Sequence, residues 1–77
     1  MTRDEFLRAV QAHGIRSDAF DLSDRGDECY IVVGRQGRWD VYYSERGLES
    51  RLHHFSTESA ALEHLLDALR ADPSAKL

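Results

Sequence analysis

The sequence predicts an α+β fold: a small α-β-β-β-α domain in which two helices cover an antiparallel three-stranded meander, with room for a short extra strand near 19–22. Three observations carry that expectation. Glu28 to Phe55 reads as strand, turn, strand, turn, strand; a capped apolar stripe precedes it; and a second capped stripe, richer in leucine, follows it. The domain is expected to span 1–72, leaving 73–77 as a flexible tail.

Within the meander, Tyr30 to Val33 is a β-branched and aromatic run, and Gly34-Arg35-Gln36-Gly37 is a turn with glycine at both ends. Arg38 to Tyr43 alternates polar and apolar residues. Ser44-Glu45-Arg46-Gly47 then closes the second strand, where the glycine supplies a positive φ, and Leu48 to Phe55 returns as the third. Side chains alternate along a strand, so Trp39, Val41 and Tyr43 share one face and Arg38, Asp40 and Tyr42 the other. With helices on the Trp39 face, Tyr42 is expected on the open face beside Arg38, either offered to a partner or packed on a neighbour such as the Arg51 stem.

The first helix is expected over Arg3 to His13. Thr2-Arg3-Asp4-Glu5 matches a capping box, and Gly14 stands where a C-terminal cap glycine belongs. Leu7 and Val10 should face the sheet, with Phe6 extending that face through its i,i+4 relation to Val10. Ile15 to Asp27 is polar and punctuated, but Ile15, Phe20 and Leu22 are apolar enough to pin an ordered connector, with the short strand around Ala19 to Leu22. For the second helix, Ser56 reads as the N-cap, Glu58 suits the positive end of the dipole, and Phe55 packs back on Ala60 as a staple. Leu62, Leu65, Leu66 and Leu69 give the broad apolar face that makes this helix the main cover. Leu66→Ala is expected to cost about 2–5 kcal/mol. Asp72-Pro73 ends the helix, and the residues beyond read as frayed.

A chain of this length buries about 60–65% of the surface its unfolded form exposes, which leaves little apolar material for an internal active-site cavity. A binding surface is therefore expected rather than an enzyme. Cys29 is the single cysteine and cannot form an intramolecular disulfide, which suits a reducing cytosol. Met1 to Glu5 is charged with no apolar run after it, and no stretch approaches membrane-spanning length, so the expectation is a cytoplasmic protein with no membrane partner. Net charge is −4, from 14 acidic and 10 basic residues, which disfavours nucleic acid and favours a basic partner. Asp18, Asp21, Asp24, Asp27 and Glu28 crowd one stretch with only Arg16 and Arg25 nearby. They form either a solvated face or an acidic docking surface.

Three chemistries fit these residues less well, and of them a nucleic-acid-binding domain stays as an alternative. The Asp21, Asp24, Asp27 spacing lacks the alternating ligands, central glycine and distal glutamate of a calcium loop. His53 and His54 are adjacent on a strand and point to opposite faces, so they cannot chelate one ion together, and no nucleophile, base and orienting group come together for catalysis. No metal and no cofactor are expected. Helix, three strands, helix is also the order of double-stranded-RNA-binding domains, but the start of the last helix holds Ser56, Thr57, Glu58 and Ser59 where such domains place phosphate-gripping lysines. Arg35, Arg38, Arg46 and Arg51 are what remains for a nucleic-acid reading.

The succession Gly14 to Leu22, then Gly37-Arg38-Trp39-Asp40-Val41-Tyr42-Tyr43-Ser44-Glu45-Arg46-Gly47, then Phe55 to Ala60 leading into Leu65-Leu66 resembles small bacterial immunity proteins encoded beside polymorphic toxins of the Rhs and contact-dependent types. The Trp-x-Val-Tyr-Tyr-x-Glu-Arg-Gly stretch is its specific part. Where such patterns carry a cysteine near the start of the last helix, this chain has Ala61. The resemblance implies a non-enzymatic inhibitor that occludes the active site or substrate groove of a cognate toxin. A toxin with a basic cleft would be met by Asp18, Asp21, Asp24, Asp27 and Glu28 from the connector and by Tyr42, Glu45 and Arg46 from the hairpin tip. Glu45 and Arg46 could instead only hold the turn. The alternative from another class is a self-associating module, a homodimer paired through an exposed strand edge.

Overall fold

Both turns of the meander tighten to two residues, and that sets the register of the sheet. In the computed structural model, which describes residues 1–23 and 25–77, β2 (Cys29–Arg35) and β3 (Arg38–Glu45) meet at Gln36-Gly37, with φ of 51° and 76°. β3 and β4 (Leu48–Phe55) meet at Arg46-Gly47, with φ of 52° and 80°. Positive φ at both central residues is the type I′ pattern, whose twist matches that of the flanking strands. Gly34 stays in β2, where an added Cβ would come within 3.3 Å of the Trp39 ring.

The expected extra strand is β1 (Phe20–Asp21). It lies parallel to β2, with Phe20 beside Tyr30 and Asp21 beside Ile31, so the sheet is mixed, in the order β1-β2-β3-β4. One irregularity interrupts the β3–β4 ladder. Val41 pairs with His53 and Tyr43 with Ser50, so Tyr42 stands opposite both Arg51 and Leu52, and Arg51 has a φ of 56°. This is a bulge on β4 that places Ser50 and Arg51 on one face.

α1 (Arg3–Ala12) starts at the expected capping box: the Glu5 amide donates to the Thr2 hydroxyl at 3.2 Å, and the Thr2 amide donates to the Glu5 carboxylate at 2.8 Å. Its rotation differs from the expectation. Phe6 and Val10 are buried while Leu7 is 41% exposed. Only one line of side chains on so short a helix meets the sheet, and Phe6 takes it by standing edge-on to Phe20 at 5.1 Å.

α2 (Glu58–Ala71) is capped by Thr57, not Ser56: the Ala60 amide donates to the Thr57 hydroxyl at 3.1 Å. Either residue type can cap. β4 holds Phe55 in register with Trp39, which leaves Ser56 as the link and Thr57 as the extended residue before the first turn. The frayed tail is also corrected. Residues Pro73–Ala75 form a 3₁₀ turn capped by Asp72, Ala75 is buried, and Lys76 bridges Ile15. The Arg16 amide donates to the Ala75 carbonyl and the Leu77 amide to the Gly14 carbonyl, both at 2.8 Å. Connector and tail thereby satisfy each other's backbone groups.

The main core joins Phe6 and Val10 of α1, Tyr30, Val32 and Val41 of the sheet, and Leu62, Leu65, Leu66 and Leu69 of α2. Trp39 and Tyr43 pack against it, as the strand alternation predicts. A second cluster, Cys29, Ile31 and Tyr42 with Val33, lies on the opposite face. Among the described residues no helix is long and apolar enough to cross a membrane.

Candidate functional site

The connector and the β3–β4 hairpin tip are tied by one side chain across nineteen residues of sequence. The Arg46 amide donates to the Asp27 carboxylate at 2.9 Å. Asp27 thus serves a turn whose backbone has a positive φ and an unspent N–H, as aspartate commonly does. The bond brings Asp27 and Glu28 of the connector to the same end of the sheet as Glu45 and Arg46, and all four are exposed.

A half-buried phenol and a buried thiol respond to the negative charge gathered there. The Tyr43 phenol is pushed up, first by burial and then by Glu45, Glu28 and Asp72. The Cys29 thiol is pushed up by burial and then by Asp21, Asp27 and Asp18. Four of the eight expected site residues, Asp27, Glu28, Glu45 and Arg46, therefore meet at one end, and others have local duties. Asp18 reaches Arg16 at 3.5 Å. Asp21 accepts from the Ser23 amide at 2.7 Å and its hydroxyl at 2.6 Å, which fixes the turn after β1. Asp24 lies outside the described residues.

Tyr42 does not belong to that surface. Its residue is only 5% exposed, because the Arg35 guanidinium lies 5.2 Å from the ring centroid. Arg35 is held over the ring by carboxylates on both sides, Asp40 at 2.9 Å and Glu49 at 3.0 Å. The expectation of an open face failed because strand alternation assigns a face without saying what else lies across it. Tyr42 shares that face with Arg38 as predicted, but under a lid.

Asp40 is the centre of this arrangement and went unrecognised as such in the sequence. It is fully buried, and its carboxylate accepts from Arg35 Nε at 3.0 Å and Arg38 Nε at 3.1 Å and meets His54 Nδ1 at 2.6 Å. Burial pushes the carboxyl up, but His54, Arg38 and Arg35 together outweigh it and hold it below its ordinary range. The available signal was an aspartate between Trp39 and Val41 with arginines at the two ends of the preceding turn.

A third region lies between β4 and the end of α2, where a groove of about 440 Å³ is lined by Arg51, His53, His64, Ala68 and Tyr30 among others. Arg51 Nη1 donates to the Tyr30 hydroxyl at 3.2 Å, and that hydroxyl lies 3.3 Å from the Asp72 carboxylate. Asp72 is held below its ordinary range, chiefly by the Ser74 hydroxyl and amide. The rings of His53 and His64 stand 4.5 Å apart, and His64 is pushed down by burial and by His53. The bulge that turns Arg51 into the groove leaves no mark in the hydrophobic pattern.

Among the described residues no three histidine, cysteine, aspartate or glutamate side chains are grouped to hold a metal ion. The site's chemistry is charge and hydrogen bonding at a surface. Compared with known protein families, curated proteins and solved structures, the chain matches none.

Proposed function

We propose that this protein is an immunity protein, a non-enzymatic inhibitor that binds a cognate toxin domain in the cytoplasm and occludes its active site or substrate groove. The observation that carries the reading is the Asp27–Arg46 bond, which assembles Asp27, Glu28 and Glu45 into one exposed acidic end from two distant segments. Such an end suits a basic cleft. Opposite potentials raise the rate of encounter, and carboxylates form the stronger, charge-assisted hydrogen bonds once docked. The same charge disfavours RNA or DNA on this surface.

The test is co-expression of the tagged protein with the open reading frame immediately upstream of its gene, scored by growth and by capture. The expected outcome is a toxic neighbour that is silenced and recovered in equal amount. Reversing exposed charges together, Glu28→Lys and Glu45→Lys, should abolish rescue and leave the melting temperature within a few degrees of wild type. A harmless neighbour with nothing captured, or full protection by the doubly reversed variant, overturns the proposal.

A further inference from the structure

The outer edge of β4 carries no strand partner among the described residues, and it runs beside the groove under α2. An edge of eight residues is long enough to accept a strand from another polypeptide, the main chain supplying hydrogen bonds and the groove supplying choice. What lines the groove limits which strand fits.

Arg51 sits at the bulge with a φ of 56°, a conformation that a side-chain-bearing residue rarely adopts and that recurs where a strand re-aims a side chain. The result is a guanidinium on the helix-covered face that donates to the Tyr30 hydroxyl and has no carboxylate within ion-pair distance among the described residues. His53, two residues along, and His64 of α2 complete a wall of one cation and two imidazoles. The carboxylate in the same lining, Asp72, is oriented by the Ser74 amide and hydroxyl and faces Arg51 across the Tyr30 hydroxyl, so it offsets part of the guanidinium charge without pairing with it directly. On the opposite face of β4 the next side chain is Leu52, 42% exposed.

We propose that β4 accepts an added strand from a partner polypeptide whose residues alternate acidic and apolar, the acidic side chains entering the groove beside Arg51, His53 and His64 and the apolar ones lying along Leu52. Strand alternation delivers both kinds of side chain at once, one to each face. A second copy of this chain is the poorer occupant, because the two-fold register that joins the Leu52 side chains brings each Arg51 against the His53 of the other copy. The groove adjoins the acidic end, since Arg51 also lines a hollow with Glu45 and Asp72, but its test needs no toxin.

The experiment titrates the ¹⁵N-labelled protein with an acetylated, amidated peptide of four Glu-Val repeats, using four Gln-Val repeats as the control. Expected are amide shifts along 48–55 and the last turns of α2, with the Gln peptide binding about fivefold more weakly, the scale of one exposed charge contact. Arg51→Gln should erase that preference and Arg51→Lys should keep most of it, which separates loss of the charge from loss of the fold. Equal affinity for the two peptides, shifts that spare β4, or β4 shifts that track protein concentration without peptide would each overturn the proposal, the last by establishing self-pairing.

Discussion

Over β2 and β3 the two faces of the sheet are covered by different means, while β4 stays exposed on both. The helix-covered face is sealed by apolar side chains from α1 and α2, with Phe6, Leu62, Leu65 and Leu69 fully buried. Among the described residues the opposite face gathers Cys29, Ile31 and Tyr42, with Val33 partly buried beside them, and no helix packs over that cluster. A loop at Gly26 covers one end and the Arg35 guanidinium, braced by Asp40 and Glu49, covers the other. A short chain runs out of apolar material, and the stem and plane of an arginine finish the work. The helix-covered face should therefore answer to volume, and the opposite face to charge geometry and pH.

The largest test of that contrast is Leu62→Ala, which opens a cavity under α2 and should cost about 2–5 kcal/mol. Urea unfolding would read it as a lowered midpoint with an unchanged slope. A cost below about 1 kcal/mol would mean that the helix side can collapse around the loss.

Gly26→Ala comes next and touches only the far face. The new methyl would meet Cys29 Sγ at 2.5 Å, Asp21 Cβ at 2.9 Å and Ile31 Cδ1 at 3.0 Å, so the loop must lift, at about 1–3 kcal/mol. A thermal melt equal to wild type would show that the loop does not seal this face.

Asp40→Asn should cost less, about 1–2 kcal/mol, because Arg35, Arg38 and His54 remain partly exposed and can turn to water. Its signature is in the pH profile. The Asp40 carboxyl lies below its ordinary value when folded, so its stabilisation is complete above about pH 4 and is lost as pH falls through the lower folded value. Melting temperatures taken from pH 7 down to pH 2 should converge between wild type and Asp40→Asn at the acid end. Curves that stay parallel would remove Asp40 from the acid response and leave Asp72 to account for it.

The site was legible in parts, and each part has its reason. The acidic crowding from Asp18 to Glu28 is visible as composition, and the Glu45-Arg46-Gly47 turn as local chemistry. Their meeting is not visible, since it depends on a hydrogen bond between Asp27 and Arg46 across the fold. Tyr42 was assigned to the correct face and given the wrong exposure, because burial depends on Arg35, whose reach across the sheet no periodicity reports. Arg51 was read as a stem for Tyr42 to pack on and as one of four arginines left for a nucleic-acid surface. One extra residue in β4 turns it to the other face.

By itself the sequence determined the α+β class, the meander, the capped start of α1 and the leucine face of α2, because each rests on spacing or capping within a few residues. Tertiary structure alone decided which line of α1 is buried, that β1 lies parallel to β2, that the last residues dock on Ile15 and Arg16, and that Asp40 gathers two arginines and a histidine. Those outcomes depend on groups far apart along the chain competing for the same contacts and hydrogen bonds. Only the folded arrangement says which of them meet.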